Sequence, residues 1–123
     1  MARSDAGLRC GLEKVRALRD EFWRNVLVSG VGNDLNQELE KAGRVADFLE
    51  LGELMMIDAL HREESCGGHF RVESQTPDGE AKREDDRFSY VAAWERPEPG
   101  GPPRLTKEAL EFEYVHLAQR NYK

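Results

Sequence analysis

Residues 34–64, DLNQELEKAGRVADFLELGELMMIDALHREE, decide the fold. Leu35, Leu39, Ala42, Ala46 and Leu49 follow one another at steps of four, three, four and three, the spacing of an apolar stripe along one face of a helix. Asn33 and Asp34 offer side-chain oxygens to cap the exposed amides at its start. Past Leu49 the apolar residues spread around the cylinder, as Leu51, Leu54, Met55, Met56, Ile57, Ala59 and Leu60, so this half needs covering on more than one side. The reading predicts one long central helix over about 34–64. Gly52 costs about 1 kcal/mol relative to alanine and marks the place where it would bend or split.

Upstream, Leu8, Leu12, Val15, Leu18, Phe22 and Val26 step by four, three, three, four and four, which predicts a first helix over about 5–25 with Ser4 or Asp5 at its cap. Val26 to Gly32, with β-branched residues and two glycines, ends it. Downstream, Gly67-Gly68 is expected to stop the long helix with Gly67 as its left-handed cap, and 65–87 reads as an irregular arm with a β-turn at Thr76-Pro77-Asp78-Gly79. Phe88, Tyr90, Ala92 and Trp94 alternate with smaller or polar neighbours, as do Leu110, Phe112, Tyr114 and His116, which predicts an antiparallel strand pair. The proline-rich stretch 96–103 between them is expected to be a mobile exposed loop. The expected organisation is mainly α: a helical-bundle part at 1–66, then an arm and a small β-hairpin at 67–123 of the same domain.

Composition narrows the function classes. The chain is 123 residues long, enough for one core. Charged residues make up 34%, with a net charge of −6, so a phosphate-binding surface and a nucleic-acid partner are disfavoured. Residues 33–64 hold nine acidic and three basic groups, which reads as a solvated face or as a docking face for a basic partner. No apolar run of signal-peptide or membrane-span length occurs in the first thirty residues, and Cys10 and Cys66 lack framework spacing, so both are read as free thiols of a soluble cytoplasmic chain.

The segment richest in chemistry is His61 to Arg71. Cys66, His69 and His61 are acceptable zinc ligands, but a Cys-x-x-His pair without a second pair is weak. Cys66 with His69 as base could form a nucleophile, although the partial negative charge at a helix C-terminus disfavours the thiolate. The favoured reading is structural, with His69 and Arg71 turning back to bond carbonyls, carboxylates or a neighbouring domain. Trp23, Trp94 and Met55-Met56 are read as core or interface, and His116 as a partly buried imidazole on the strand face. No Gly-x-Gly-x-x-Gly, P-loop or His-Glu-x-x-His is present.

Three runs, Asn36 to Ala42, Leu49 to Leu54 and Ala59 to Arg71, together with Phe88 to Glu95 and Gln119 to Lys123, resemble the C-terminal domain of succinate dehydrogenase and fumarate reductase flavoprotein subunits. The resemblance runs from about Gly11 to Lys123. Its most specific part is Glu64-Ser65-Cys66-Gly67-Gly68-His69-Phe70-Arg71. Related members and the L-aspartate oxidases commonly carry Glu-Ser-Arg-Gly there, so any role of that arginine does not carry over to Cys66. The resemblance implies a spectrin-like helical bundle lacking its first helix, and an oxidoreductase parent with covalent FAD that interconverts succinate and fumarate.

Further implications follow from the same resemblance. The domain would pack on the flavin-binding and capping domains of the parent chain, near an iron–sulfur subunit that passes electrons toward a membrane anchor and quinone, on the inner face of the bacterial cytoplasmic membrane. Glu64, Ser65, Gly67, Gly68, His69 and Arg71 would form an interdomain motif. No catalytic, metal-binding or cofactor-binding residue is assigned, and the fragment alone is expected to bind no FAD, to be inactive and to self-associate through its uncovered face. A stand-alone helical interaction module is the alternative.

Overall fold

The computed structural model describes residues 2–30, 35–96 and 101–118. Five elements follow in order: α1 (Asp5–Asn25), α2 (Gln37–His61), the single turn α3 (Asp85–Phe88), β1 (Tyr90–Glu95) and β2 (Arg104–Ala109). This is the expected mainly helical fold with an arm and a terminal hairpin. Ser4 caps α1, its hydroxyl accepting from the Gly7 amide, and the arm supplies a second acceptor when the Asp5 amide donates to Glu73 Oε1 at 2.8 Å. The cap of α2 is Asn36, whose Oδ1 accepts from the Glu38 and Leu39 amides. The expected caps Asn33 and Asp34 lie outside the described residues, and the helix starts later than predicted because Asn36 can satisfy two orphan amides at once.

α1 and α2 pack antiparallel, with Gly11 against the Met56 thioether and Arg16 and Arg19 against Glu53. α2 runs unbroken through Gly52. It ends at His61, six residues before Gly67, so Gly67 and Gly68 do not stop it. They form instead the tip of a tight hairpin, in which the Cys66 and His69 main chains exchange both hydrogen bonds. Gly67 alone of the two has a positive φ, +57°, the pattern of a two-residue turn with glycine first, and not of a helix cap. The second turn is as read, with the Gly79 amide donating to the Thr76 carbonyl at 2.9 Å.

β1 begins at Tyr90, two residues later than the alternation placed it, because Phe88 closes the single turn α3, and its inner residues Tyr90, Ala92 and Trp94 face α2. The second strand is not at 110–117. It is Arg104–Ala109, paired antiparallel with Trp94 opposite Leu105 and Glu95 opposite Arg104. Leu110 to Leu117 are exposed and outside any strand, and His116 is exposed too. Part of the proline-rich loop, 97–100, lies outside the described residues.

The core is small and unusually polar. Among the described residues the apolar ones that are buried are Ala59 and Phe88, beside Glu53, Glu64, Ser65 and Arg71. Two helices shield each other on one side only, so Met55, expected as core, and Trp23, expected as core or interface, are exposed, as are Leu18, Leu39 and Phe48.

Candidate functional site

The motif residues converge where α2 ends and the arm begins. The last turn of a helix leaves carbonyls without partners, and here basic side chains from the arm meet them. His69 Nε2 donates to the Arg62 carbonyl at 2.9 Å, and Arg71 Nη1 donates to the Leu60 carbonyl at 3.1 Å. With its proton on Nε2, the neutral imidazole presents Nδ1 as an acceptor to Arg3 Nη1, 3.4 Å away. Ser65, fully buried, clasps the arm to itself: its hydroxyl accepts from the Arg71 amide at 2.8 Å and donates to the Arg71 carbonyl at 3.2 Å.

Glu64 is 2% exposed and serves two elements. Oε1 accepts from Arg62 Nε at 2.7 Å, and Oε2 accepts from the Glu84 amide at 2.9 Å, which fixes the residue preceding α3. Arg62 completes the link by donating to the Phe88 carbonyl at 3.0 Å. On the other side Arg71, 4% exposed, lies 3.5 Å from both the Asp5 and Glu73 carboxylates. Its Nε has no aligned hydrogen bond despite that proximity to Glu73. The N-terminal strand segment joins the same junction, since the Arg3 amide donates to Phe70 O and the Arg3 carbonyl accepts from the Val72 amide, each at 2.8 Å.

The electrostatics follow from these contacts. The hydrogen bond from Arg9, aided by the Arg9 and Arg71 charges, holds the Asp5 carboxyl below its ordinary value against an opposing desolvation penalty. The Asp5 amide does the same for Glu73, and Arg87 for Glu63. Both remaining chemical readings lose their geometry. The His69 ring nitrogens are committed to Arg62 and Arg3, so His69 is not placed to act as the base for Cys66. His61 turns the other way, its Nε2 2.7 Å from the Tyr90 hydroxyl, inside an aromatic group with Phe88 and Trp94. Among the described residues no three His, Cys, Asp or Glu side chains are grouped to hold a metal.

Gly67 and Gly68 give a paired prediction. Gly67→Ala places a side chain in the left-handed region and is expected to cost about 1 kcal/mol, whereas Gly68→Ala, with open space around its Cβ and no positive φ, should stay within about 0.5 kcal/mol of the parent. Urea midpoints of the two variants check this.

Sequence reading missed a second ionic node. Glu53, buried on α2, meets Arg16 Nε at 2.8 Å and Arg19 Nη1 from α1, and Arg96 Nη2 at 3.5 Å from the end of the hairpin strand. The signal was available: Ala42, Ala46, Leu49, Glu53, Met56 and Leu60 continue one stripe, so a carboxylate occupies an inward position and needs cationic partners.

A helix pair whose buried centre is ionic, closed by an arm and a hairpin, defines a scaffold built to hold segments in register. A family model described as fumarate reductase flavoprotein C-terminal covers residues 1–122, and the chain belongs to that family. Its fold is shared by the FrdA flavoprotein of E. coli quinol fumarate reductase, solved as a point variant, at TM-score 0.80 and 23% identity over 96% of this chain. The chain spans 19% of that flavoprotein's length. A comparison with curated proteins finds no match.

Proposed function

We propose that this chain is the C-terminal structural domain of a longer flavoprotein that interconverts succinate and fumarate and passes electrons through an iron–sulfur subunit to quinone. The observation that carries the reading is the family match over 1–122 together with the junction its motif builds, where Glu64, Ser65, His69 and Arg71 spend their polar atoms on holding α2, α3 and the N-terminal segment together. In the longer protein Gly67 and Gly68, exposed at the hairpin tip, and the arm around them form the contact with the flavin-binding and capping domains.

The described residues do not fit the flavin itself. A dinucleotide pyrophosphate is held by free amides at a glycine-rich helix start, yet the α1 start is closed by Ser4 and by the Glu73 carboxylate, and the α2 start by Asn36. In this reading the chemistry belongs to other parts of the longer protein, and no step is assigned to residues of this chain. Among the described residues no helix is long and apolar enough to cross a membrane.

The test is purification from the native cells through a tag at the C-terminus. The expected product is a polypeptide several times larger than 14.0 kDa with flavin absorbance and succinate-dependent reduction of an artificial acceptor, while the 123-residue chain made alone with added FAD is inert. A native product of 14.0 kDa without flavin, or turnover by the short chain, would overturn the proposal.

The chain on its own is expected to self-associate through the open end of the helix pair, where Trp23, Leu27, Leu35 and Leu39 are exposed. Light scattering at about 100 µM should give a mass above that of the monomer, and Trp23→Glu with Leu39→Glu should restore the monomer, since charges placed in an apolar contact oppose association. A monomeric parent chain at that concentration would contradict this.

A further inference from the structure

From the groove between α2 and β1 and the segment that follows β2, we infer a single docking surface for an extended, apolar and basic segment of a separate polypeptide. The groove, about 490 Å³, is walled by Leu51, Leu54 and Met55 of α2 and floored by Tyr90, Val91, Ala92 and Trp94 of β1. It continues past Trp94 into a second hollow bordered by Asp47, Glu50 and Glu95. β1 pairs with β2 alone among the described residues, so its other edge carries backbone groups available to an added strand.

Leu110 lines the groove and also begins the second part of the surface. From Leu110 to Tyr114 apolar and acidic residues alternate as a strand would, yet among the described residues the segment has no partner strand, and Phe112 and Tyr114 are 60% and 84% exposed. It is not loose. The Leu110 amide donates to the Ser89 carbonyl at 3.0 Å and Arg83 Nη1 donates to the Ala118 carbonyl at 3.1 Å, so the segment is held at both ends and its apolar side chains are presented.

Charge selects the partner. Asp47, Glu111 and Glu113 have no ion pair among the described residues, whereas the cations nearby are already engaged, Arg62 by Glu64 and the Phe88 carbonyl, and Arg96 by Glu50 and Glu53. The surface thus offers negative charge beside apolar pockets, which fits lysine or arginine interspersed with apolar residues. A charged rim speeds and orients the meeting of separate chains, and a segment already tethered to this chain would gain nothing from such steering.

The experiment places a photo-crosslinking residue at Phe112, and separately at Val91 in the groove floor, in the protein purified as the assembly it forms in its own cells. Mass spectrometry is expected to find both positions joined to one stretch of a different polypeptide with an excess of lysine and arginine. Glu111→Lys with Glu113→Lys should cut the yield at both positions at least about fivefold, because the rim charges that steer the encounter are reversed. Both residues are exposed and outside any ion pair among the described residues, and an unchanged circular dichroism melt will show that the fold is intact. Joining to two unrelated stretches, to this same chain or a second copy of it, to an acidic stretch or to no polypeptide, or a yield insensitive to the charge reversal, would overturn the inference.

Discussion

Replacing Glu64 by alanine is expected to lower stability by about 3–5 kcal/mol, the cost typical of breaking a buried ion pair by removing one partner. The drop would be read as a shift in urea midpoint at unchanged slope. Alanine leaves Arg62 Nε without its acceptor and the Glu84 amide with none, and a buried hydrogen-bonding group left unmade costs about 1–3 kcal/mol. Glu64→Gln keeps the shape and one acceptor for the amide while removing the charge, so it should cost about 2 kcal/mol, near the value of a charge-assisted bond. Because Glu64 is the link between the end of α2 and the start of α3, hydrogen exchange in the Ser89 to Glu95 stretch should rise in the alanine variant more than in α1. A midpoint for Glu64→Ala within error of the parent would show that the junction contributes shape alone.

The helices were legible because their signals are local. The α1 stripe and Ser4 mark that element to the residue, and the α2 stripe marks its helix to within three residues at either end. At the start Asn36 competed successfully with two earlier candidates of the same chemistry, a choice that depends on backbone conformation and not on composition. The second strand was misread for a different reason. Alternation reports a segment able to lie on a half-buried surface, and Leu110 to Leu117 has that pattern without a partner strand in the described structure. Arg104–Ala109 alternates poorly, with Leu105 as its inner apolar residue, and is a strand because it is the stretch brought opposite Trp94.

The site shows the same division. The His61 to Arg71 run was visible as a concentration of ionisable groups, and the turning back of His69 and Arg71 was inferable from a helix end nearby. Their acceptors, the carbonyls of Arg62 and Leu60, have no residue-type signature at all. Arg3 and Asp5 reach the junction from sixty-five or more residues away, a separation that no spacing rule covers. The polar core escaped because an inward carboxylate looks, residue by residue, like one more charge on an acidic helix.

That inward carboxylate yields the second large effect. Glu53→Gln is expected to cost about 2–3 kcal/mol at pH 7, as expected for charge-assisted hydrogen bonds lost from a mostly buried site. Burial works against the Glu53 charge, but the hydrogen bond from Arg16 and the charges of Arg19, Arg16 and Arg96 outweigh it and hold the carboxyl below the ordinary carboxylate range. A depressed folded-state value means that the stabilisation is present in full above the unfolded pKa, about 4.3 for glutamate, and is lost as pH falls through the folded value. The parent and Glu53→Gln stability curves should therefore stand apart at neutral pH and converge below about pH 4. Alanine substitutions of the arginines should rank by exposure. Arg19, 22% exposed, is expected to cost more than Arg16, 49% exposed, whose contact with water screens its charge. Curves that remain parallel down to pH 3 would assign the loss to packing, whereas convergence locates it in the carboxylate charge and makes acid the condition that separates α1, α2 and the hairpin at a single residue.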